Sequence, residues 1–383
     1  MVRAYLNCHS IYYLNTILVS FFIYVTDHYQ KPMFIVWFIY ALLPFLDAIL
    51  PLDHINPTPE EEKELKRQWK WKIPIYSFVF AEWYAMFWVM NYINNHSLSW
   101  SQLVALIITQ GHVSAIGFLI AHELFHKRDM LGRVVGTLDM LKSLYMHFYS
   151  EHLYGHHKNV STPNDPATAK LNQTLYEFIP STIKGSFLNC WKRESKALKK
   201  RGKSPWSIEN KLIICVLIEI LFVCFIFACF SFKSFMVFLI QAALSIFLLE
   251  SINYARHYGL QRKEIKPGVY EPVTIKHSWN APHFLQNLFL LKLQRHSDHH
   301  ANSYKPYQTL SSYPESPCLP CGYASCIPAA LIPPAWFAIV NPIVEGTNEY
   351  GKPTAEQMKK STDSFNIFLV LQASVFTLLL ILI

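Results

Sequence analysis

The sequence predicts an all-α integral membrane protein, a six-transmembrane-helix bundle carrying a cytosolic helical region rich in histidine. Three observations lead there. Of the 383 residues, 52% are hydrophobic and 15% aromatic, a composition that argues against an ordinary soluble globular fold. Six apolar stretches approach the roughly 20 residues that a bilayer core demands of a helix. The chain has seventeen histidines, and nine of them fall in tight clusters in the polar segments that follow those stretches.

The expected spans are residues 11–25, 33–51, 74–93, 103–121, 212–230 and 236–254, six helices in three hairpins. Lys and Arg crowd the loops that follow residues 51, 121 and 254, whereas the turns at 94–99 and 231–234 carry almost none. The positive-inside rule then puts the basic loops, and the histidines with them, in the cytoplasm. Residues 57–72, charged and led by proline, read as an amphipathic connector. A last apolar run, 365–383, could span the membrane, lie in its interface or dock on the bundle. No internal repeat or low-complexity tract is evident, and one membrane domain, 1–383, accounts for the chain. No cleavable signal peptide is expected, because the first apolar segment lacks a small-residue cleavage site.

Nine histidines form the chemical signal. His122 and His126 flank a HELFH string at the end of the fourth span, where i, i+4 spacing on a helix puts two imidazoles on one face. His152, His156 and His157 repeat that spacing and add an adjacent ring; His296, His299 and His300 are spaced i, i+3 and i+4. His257 stands alone at the cytosolic end of the sixth span. Taken by itself, HExxH also suits a zinc protease with Glu123 as base. Nine imidazoles exceed what one zinc binds, so two metals are implied. Imidazole suits iron, copper, zinc and nickel. Iron is favoured, because an aromatic-rich membrane pocket suits apolar substrates and shows no machinery for hydrolysis.

Of the eight cysteines, Cys215, Cys224 and Cys229 lie within an apolar span, and Cys318 and Cys321 form only half of a rubredoxin-like iron site.

Read together, His122 to Lys127, Glu151 to His157, Asn253 to Leu260 and Leu293 to Ala301 resemble, in order and spacing, the four histidine motifs of the membrane-bound alkane 1-monooxygenases. Pro44 to Ala48, Thr162 to Thr168, His277 to Asn280 and Leu319 to Tyr323 resemble further strings of that family, so the likeness runs from about residue 33 to 342. The third motif separates this family from the acyl-lipid desaturases. The resemblance implies two irons held by histidines at the cytosolic end of a hydrophobic channel, with dioxygen as co-substrate and hydroxylation of a terminal methyl group. Xylene monooxygenases are similar, so a methyl-aromatic substrate stays open, as does a fatty-acid desaturase or lipid hydroxylase. A non-catalytic metal carrier or lipid-binding scaffold is the bland alternative.

The chain departs from the family at Arg256, where a glutamate is usual, at Ala121 and Phe125, which replace glycines, and in its apolar tail. Carboxylates expected to orient imidazoles are Glu123, Glu151, Asp298 and Asp165, with Glu250 a further candidate two turns before His257; solvated surface charge is the alternative, most of all for Asp165. Glu82, Glu219 and Glu250 should face the bundle interior, since ionisable groups are costly in lipid. Channel walls are expected on the second, third and fourth spans; Ile39 could face the channel, with core packing the preferred reading. The chain has no dinucleotide fingerprint, complete iron–sulfur cysteine set or haem motif, so electrons must come from a separate carrier. The resemblance implies a rubredoxin or ferredoxin fed by an NAD(P)H reductase. Lys192, Arg193, Lys196, Lys199, Lys200, Arg201 and Lys203 form the basic run where it would dock, or where anionic lipid would sit.

Overall fold

The structure, a computed structural model, describes residues 8–382. After a helical turn over His9–Tyr13 come two short apolar helices, α1, Leu14–Tyr29, and α2, Phe34–Ile49. At 16 residues each, α1 and α2 rise only about 24 Å, short of a ~30 Å hydrocarbon core. A π turn over Phe38–Leu42 interrupts α2. Its cause is legible locally: the residue four after Tyr40 is Pro44, which has no N–H to return to the Tyr40 carbonyl.

Helix α3, Pro59–Arg67, begins on a capping box in which Thr58 and Glu61 satisfy each other's backbone N–H groups. It is the predicted amphipathic connector. Then come α4, Ile73–Asn95, and α5, Trp100–Phe125, the latter started by a second capping box between Ser99 and Gln102. After α6, Met130–Asp139, the chain forms α7 from three joined pieces, Phe148–Glu151, a π turn His152–His156, and His157–Asn159. Helix α8, Leu175–Lys200, carries the basic run up to Lys200, with Arg201 and Lys203 just past its end. Helices α9, Lys211–Cys229, and α10, Phe232–His257, form a hairpin whose second helix is capped by Ser231. Past a small β1–β2 hairpin, Glu264–Lys266 and Val269–Tyr270, lie α11, Phe284–Phe289, α12, His296–Ala301, α13, Tyr323–Ala330, and α14, Pro333–Tyr350. Helix α15, Ala355–Leu382, ends the described chain.

Among the described residues, five helices are long and apolar enough to cross a membrane: the α4 stretch, α5, α9, α10 and α15. The expected spans at 11–25 and 33–51 correspond to the two short helices, and the tail is long enough to be a membrane helix in its own right.

Helices α5 and α10 form the centre. A Cβ on Gly111 would lie 2.7 Å from Leu244 Cδ2, so glycine is what permits the two to approach so closely. Glu82 and Glu250 are fully buried, and Glu219 accepts from the Met146 N–H at 2.7 Å. Glu82 pairs at 3.1 Å with the buried Lys142, which also lies 3.0 Å from Asp139. A charge in that apolar surround stays only when paired.

Candidate metal centre

Nine imidazoles converge where the ends of α5, α7, α10 and α12 meet, in two groups whose ligand atoms lie within 4.8 Å of one another. His122, His126, His152, His157 and His299 make the first group; His156, His257, His296 and His300 make the second. The structure thus brings together all nine histidines singled out in the sequence.

How the helices divide them differs from the expectation. On α5, His122 and His126 share a group, as i, i+4 residues should. On α7 the pairing is i, i+5: the Nε2 atoms of His152 and His157 are 2.9 Å apart, whereas His156 turns to the other group. The π turn is the reason, since its wider coil brings residues five apart onto one face. On α12, His296 and His300 approach to 3.0 Å in the second group and His299 faces His157 at 3.2 Å in the first. Further Nε2 contacts join His126 to His152 at 3.1 Å and His296 to His257 at 3.1 Å, so His257 is no bystander.

This donor set fits metal ions. Burial lowers the pKa of His152, His157, His299 and His300 well below the usual histidine range and pushes His126 down to about 3. For His296, burial acts first and the neighbouring Arg256 charge second. Rings that are neutral and aim Nε2 at one another present converging lone pairs. His122 has both ring nitrogens buried without a hydrogen-bond partner among the described residues, a costly state that a cation would relieve.

The carboxylates are a correction to the sequence reading. Among the described residues, Glu123, Glu151, Asp298 and Glu250 make no hydrogen bond to an imidazole. Glu123 accepts from Lys127 at 2.6 Å and from the Tyr307 N–H at 3.3 Å. Glu151 pairs with Arg193 of α8. Asp298 accepts from Asn302 and the Ser311 N–H, both at 2.7 Å. Glu250 joins three segments through Tyr145 at 3.0 Å, Thr182 at 3.2 Å and Asn253 at 3.1 Å. All four brace the elements that carry the histidines.

Asp165, the expected imidazole-orienting carboxylate for which surface charge was the strongest alternative, is buried and accepts from His156 Nδ1 at 2.9 Å and from Thr168 at 2.6 Å. The loop from Ser161 folds back under α7 to place it there, which no spacing rule announces.

Above the histidines runs an apolar channel whose lining includes Ile39, Ile116, Leu119 and Leu249 and ends on His122, His152, His156 and His296. Its walls come from α1, α2, α5, α10, α11 and α13. The third predicted span, within α4, contributes none of them, and Ile39 lines the channel rather than only packing in the core. One polar pair crosses the wall, His112 Nε2 with the Tyr40 hydroxyl at 2.9 Å.

The cysteines stand apart from both groups. Cys321 and Cys326 have their sulfurs 3.2 Å apart, and Cys318 contacts the Ser316 carbonyl.

The chain matches the family model described as fatty acid desaturase over residues 98–315, more than half its length. It is 38% identical over 303 residues to the alkane 1-monooxygenase of Acinetobacter baylyi, covering 79% of this chain and 74% of that protein. Alkane 1-monooxygenase 2 of Pseudomonas aeruginosa is also 38% identical, over 82% of this chain and 84% of its own length.

The chain belongs to the alkane 1-monooxygenase family.

It is therefore an oxidoreductase of the monooxygenase class and an integral membrane protein, with non-haem iron as the family's metal. A more distant relative of this alkane 1-monooxygenase family member is the hydroxylase component of the xylene/toluene monooxygenase of Pseudomonas putida, 27% identical over 62% of this chain and 63% of that one.

Proposed function

We propose that this chain hydroxylates the terminal methyl group of an alkane or similar apolar substrate, with iron held in both histidine groups. One observation carries the reading: an apolar channel ends on two clusters of converging, buried imidazoles. The overall reaction takes substrate, dioxygen, two electrons and two protons to the primary alcohol and water.

His122, His126, His152, His157 and His299 would hold one ion, and His156, His257, His296 and His300 the other. Bound there, iron supplies the dioxygen activation that no side chain can perform. The protein's own residues do the rest. Asp165 holds the proton on His156 Nδ1, which leaves Nε2 as the donor atom and fixes the ring. Glu123, Glu250 and Asp298 lock the segments carrying the rings, so the donor geometry survives motion in the loops. The channel excludes water and lines up a substrate by shape, since an alkane offers no group for a hydrogen bond. A single membrane unit does this work, with its histidine end facing the cytoplasm by the basic-loop asymmetry and receiving electrons from a rubredoxin- or ferredoxin-type carrier.

The test is metal analysis of the purified protein combined with product analysis after feeding octane, xylene and a fatty acid with a reducing system. Two iron equivalents with 1-octanol as product are expected. Zinc in both sites, or desaturated fatty acid as the principal product, would overturn the reading.

A further inference from the structure

Arg256 ends the channel side of α10 one residue before His257 and is only 7% exposed. It lines the channel, as does Tyr323 of α13. The guanidinium lies over the Tyr323 ring, 5.0 Å from its centroid. Among the described residues no carboxylate pairs with Arg256, and its Nε has no hydrogen-bond partner. The Tyr323 hydroxyl is likewise buried; its polar neighbour is that same guanidinium, and no third group among the described residues satisfies either. A phenol O–H and a guanidinium, the latter a permanent cation, thus stand side by side in the wall of a largely apolar cavity, facing no carboxylate.

A buried guanidinium without a counter-charge is unfavourable, and cation–π stacking offsets only part of that. Among the described residues, the other buried arginine shows what a satisfied one looks like here. Arg295 pairs with Asp53 at 2.8 Å and donates to the carbonyls of Leu310 and Ile55 at 2.7 and 3.1 Å. Arg256 has none of this, so its counter-charge must come from what enters the channel. A planar oxyanion suits the pair, because guanidinium binds carboxylate through directed, charge-assisted bonds and the phenol adds a third donor. The remainder of the ligand has to be apolar to fill the channel above.

We propose that Arg256 and Tyr323 form a carboxylate seat at the metal end of the channel, so that the protein binds a long-chain fatty carboxylate head first. Such an acid is what a terminal alcohol becomes after loss of four electrons and addition of water. Its binding would place the end product of further oxidation in competition with the hydrocarbon. The inference requires the channel and these two side chains, and goes beyond the proposed hydroxylation.

The experiment is calorimetric titration of the holoprotein in zwitterionic nanodiscs with dodecanoate and, separately, methyl dodecanoate, at about pH 8 where the acid is ionised. The acid is expected to bind at least about tenfold tighter than its ester. Tyr323→Phe, which removes one oxygen and no packing, should shrink that preference, and Arg256→Met should abolish it while Arg256→Lys restores part. Equal binding of acid and ester by the parent protein would overturn the proposal. So would a preference that persists in both the Tyr323→Phe and Arg256→Met proteins at parental metal content, because the carboxylate would then sit on the metal ions. Octane hydroxylation by the parent is scored separately, so failure of the carboxylate seat is distinguishable from failure of the proposed reaction.

Discussion

Asp165 and Glu123 make opposite predictions although both are carboxylates beside a histidine motif. Asp165 touches His156 Nδ1; Glu123 touches Lys127 and a backbone amide. Carboxylates that orient a ligating ring typically contribute 10–100-fold to metal affinity. Asp165→Asn should therefore release iron to a chelator roughly 10-fold or more faster or at lower chelator concentration, whereas Glu123→Gln should change release little. Equal effects would refute the distinction. His257→Ala removes one of the four rings of the second group, and metal analysis should show about half the iron lost with the five-histidine group still filled. The identity of the nine rings was legible in the sequence because residue type and helical spacing are local properties. Their division into five and four was not, because the π turn at His152–His156 depends on backbone hydrogen bonding that side-chain spacing does not report. The expectation that Asp165 orients an imidazole is met at His156, but the sequence could not rank it above the other carboxylates, because its burial is decided by the return of the 161–168 loop, a tertiary event.

At the scale of elements, α15 and the π turn of α2 explain each other. The Tyr40 carbonyl, deprived of an amide by Pro44, accepts from Gln372 Nε2 of α15 at 2.7 Å. Phe376 stacks on the Tyr40 ring with centroids 4.7 Å apart, and Trp37 Nε1 donates to Thr377 at 3.1 Å. The tail thus seals a wall of the channel at a point where lipid would leave a carbonyl unsatisfied. Gln372→Leu should cost about 1–3 kcal/mol, read as a lower midpoint of thermal unfolding in detergent. Removing residues 355–383 should leave both histidine groups able to fill with iron, as they lie on other elements, but should alter the range of chain lengths hydroxylated. A truncated protein that folds without iron, or one with an unaltered product range, would contradict this. Long helices such as α5 and α10 were evident from hydropathy alone. The short α1 and α2 were read as ordinary spans because apolarity sets where a helix lies, whereas its length is cut by turns such as the one before Phe34.

For the whole molecule the remaining question is where electrons enter. On the proposed orientation, with the histidine end in the cytoplasm, α8 would present its basic run on that same side. The structure shrinks that run. Arg193 is engaged by Glu151, and Arg201 and Lys203 both pair with Glu209. Lys192, Lys196, Lys199 and Lys200 have no ion-pair partner among the described residues and line a surface groove together with Trp191 and Trp206. A transient redox partner that is acidic would be steered to those four by long-range charge, and the steering would fade as salt shortens the Debye length to about 8 Å near physiological ionic strength. Replacing Lys192, Lys196 and Lys199 by glutamate, in detergent and away from anionic lipid, should slow carrier-driven turnover about tenfold or more and flatten its salt dependence. Turnover driven by a small chemical reductant should be unchanged, because the histidine groups and the channel are built from other residues. Arg201→Glu should do far less, since its charge is already spent on Glu209. If the triple variant keeps parental carrier kinetics across the salt series, the carrier approaches by another face, and the lysines of α8 then serve to hold the helix against anionic headgroups.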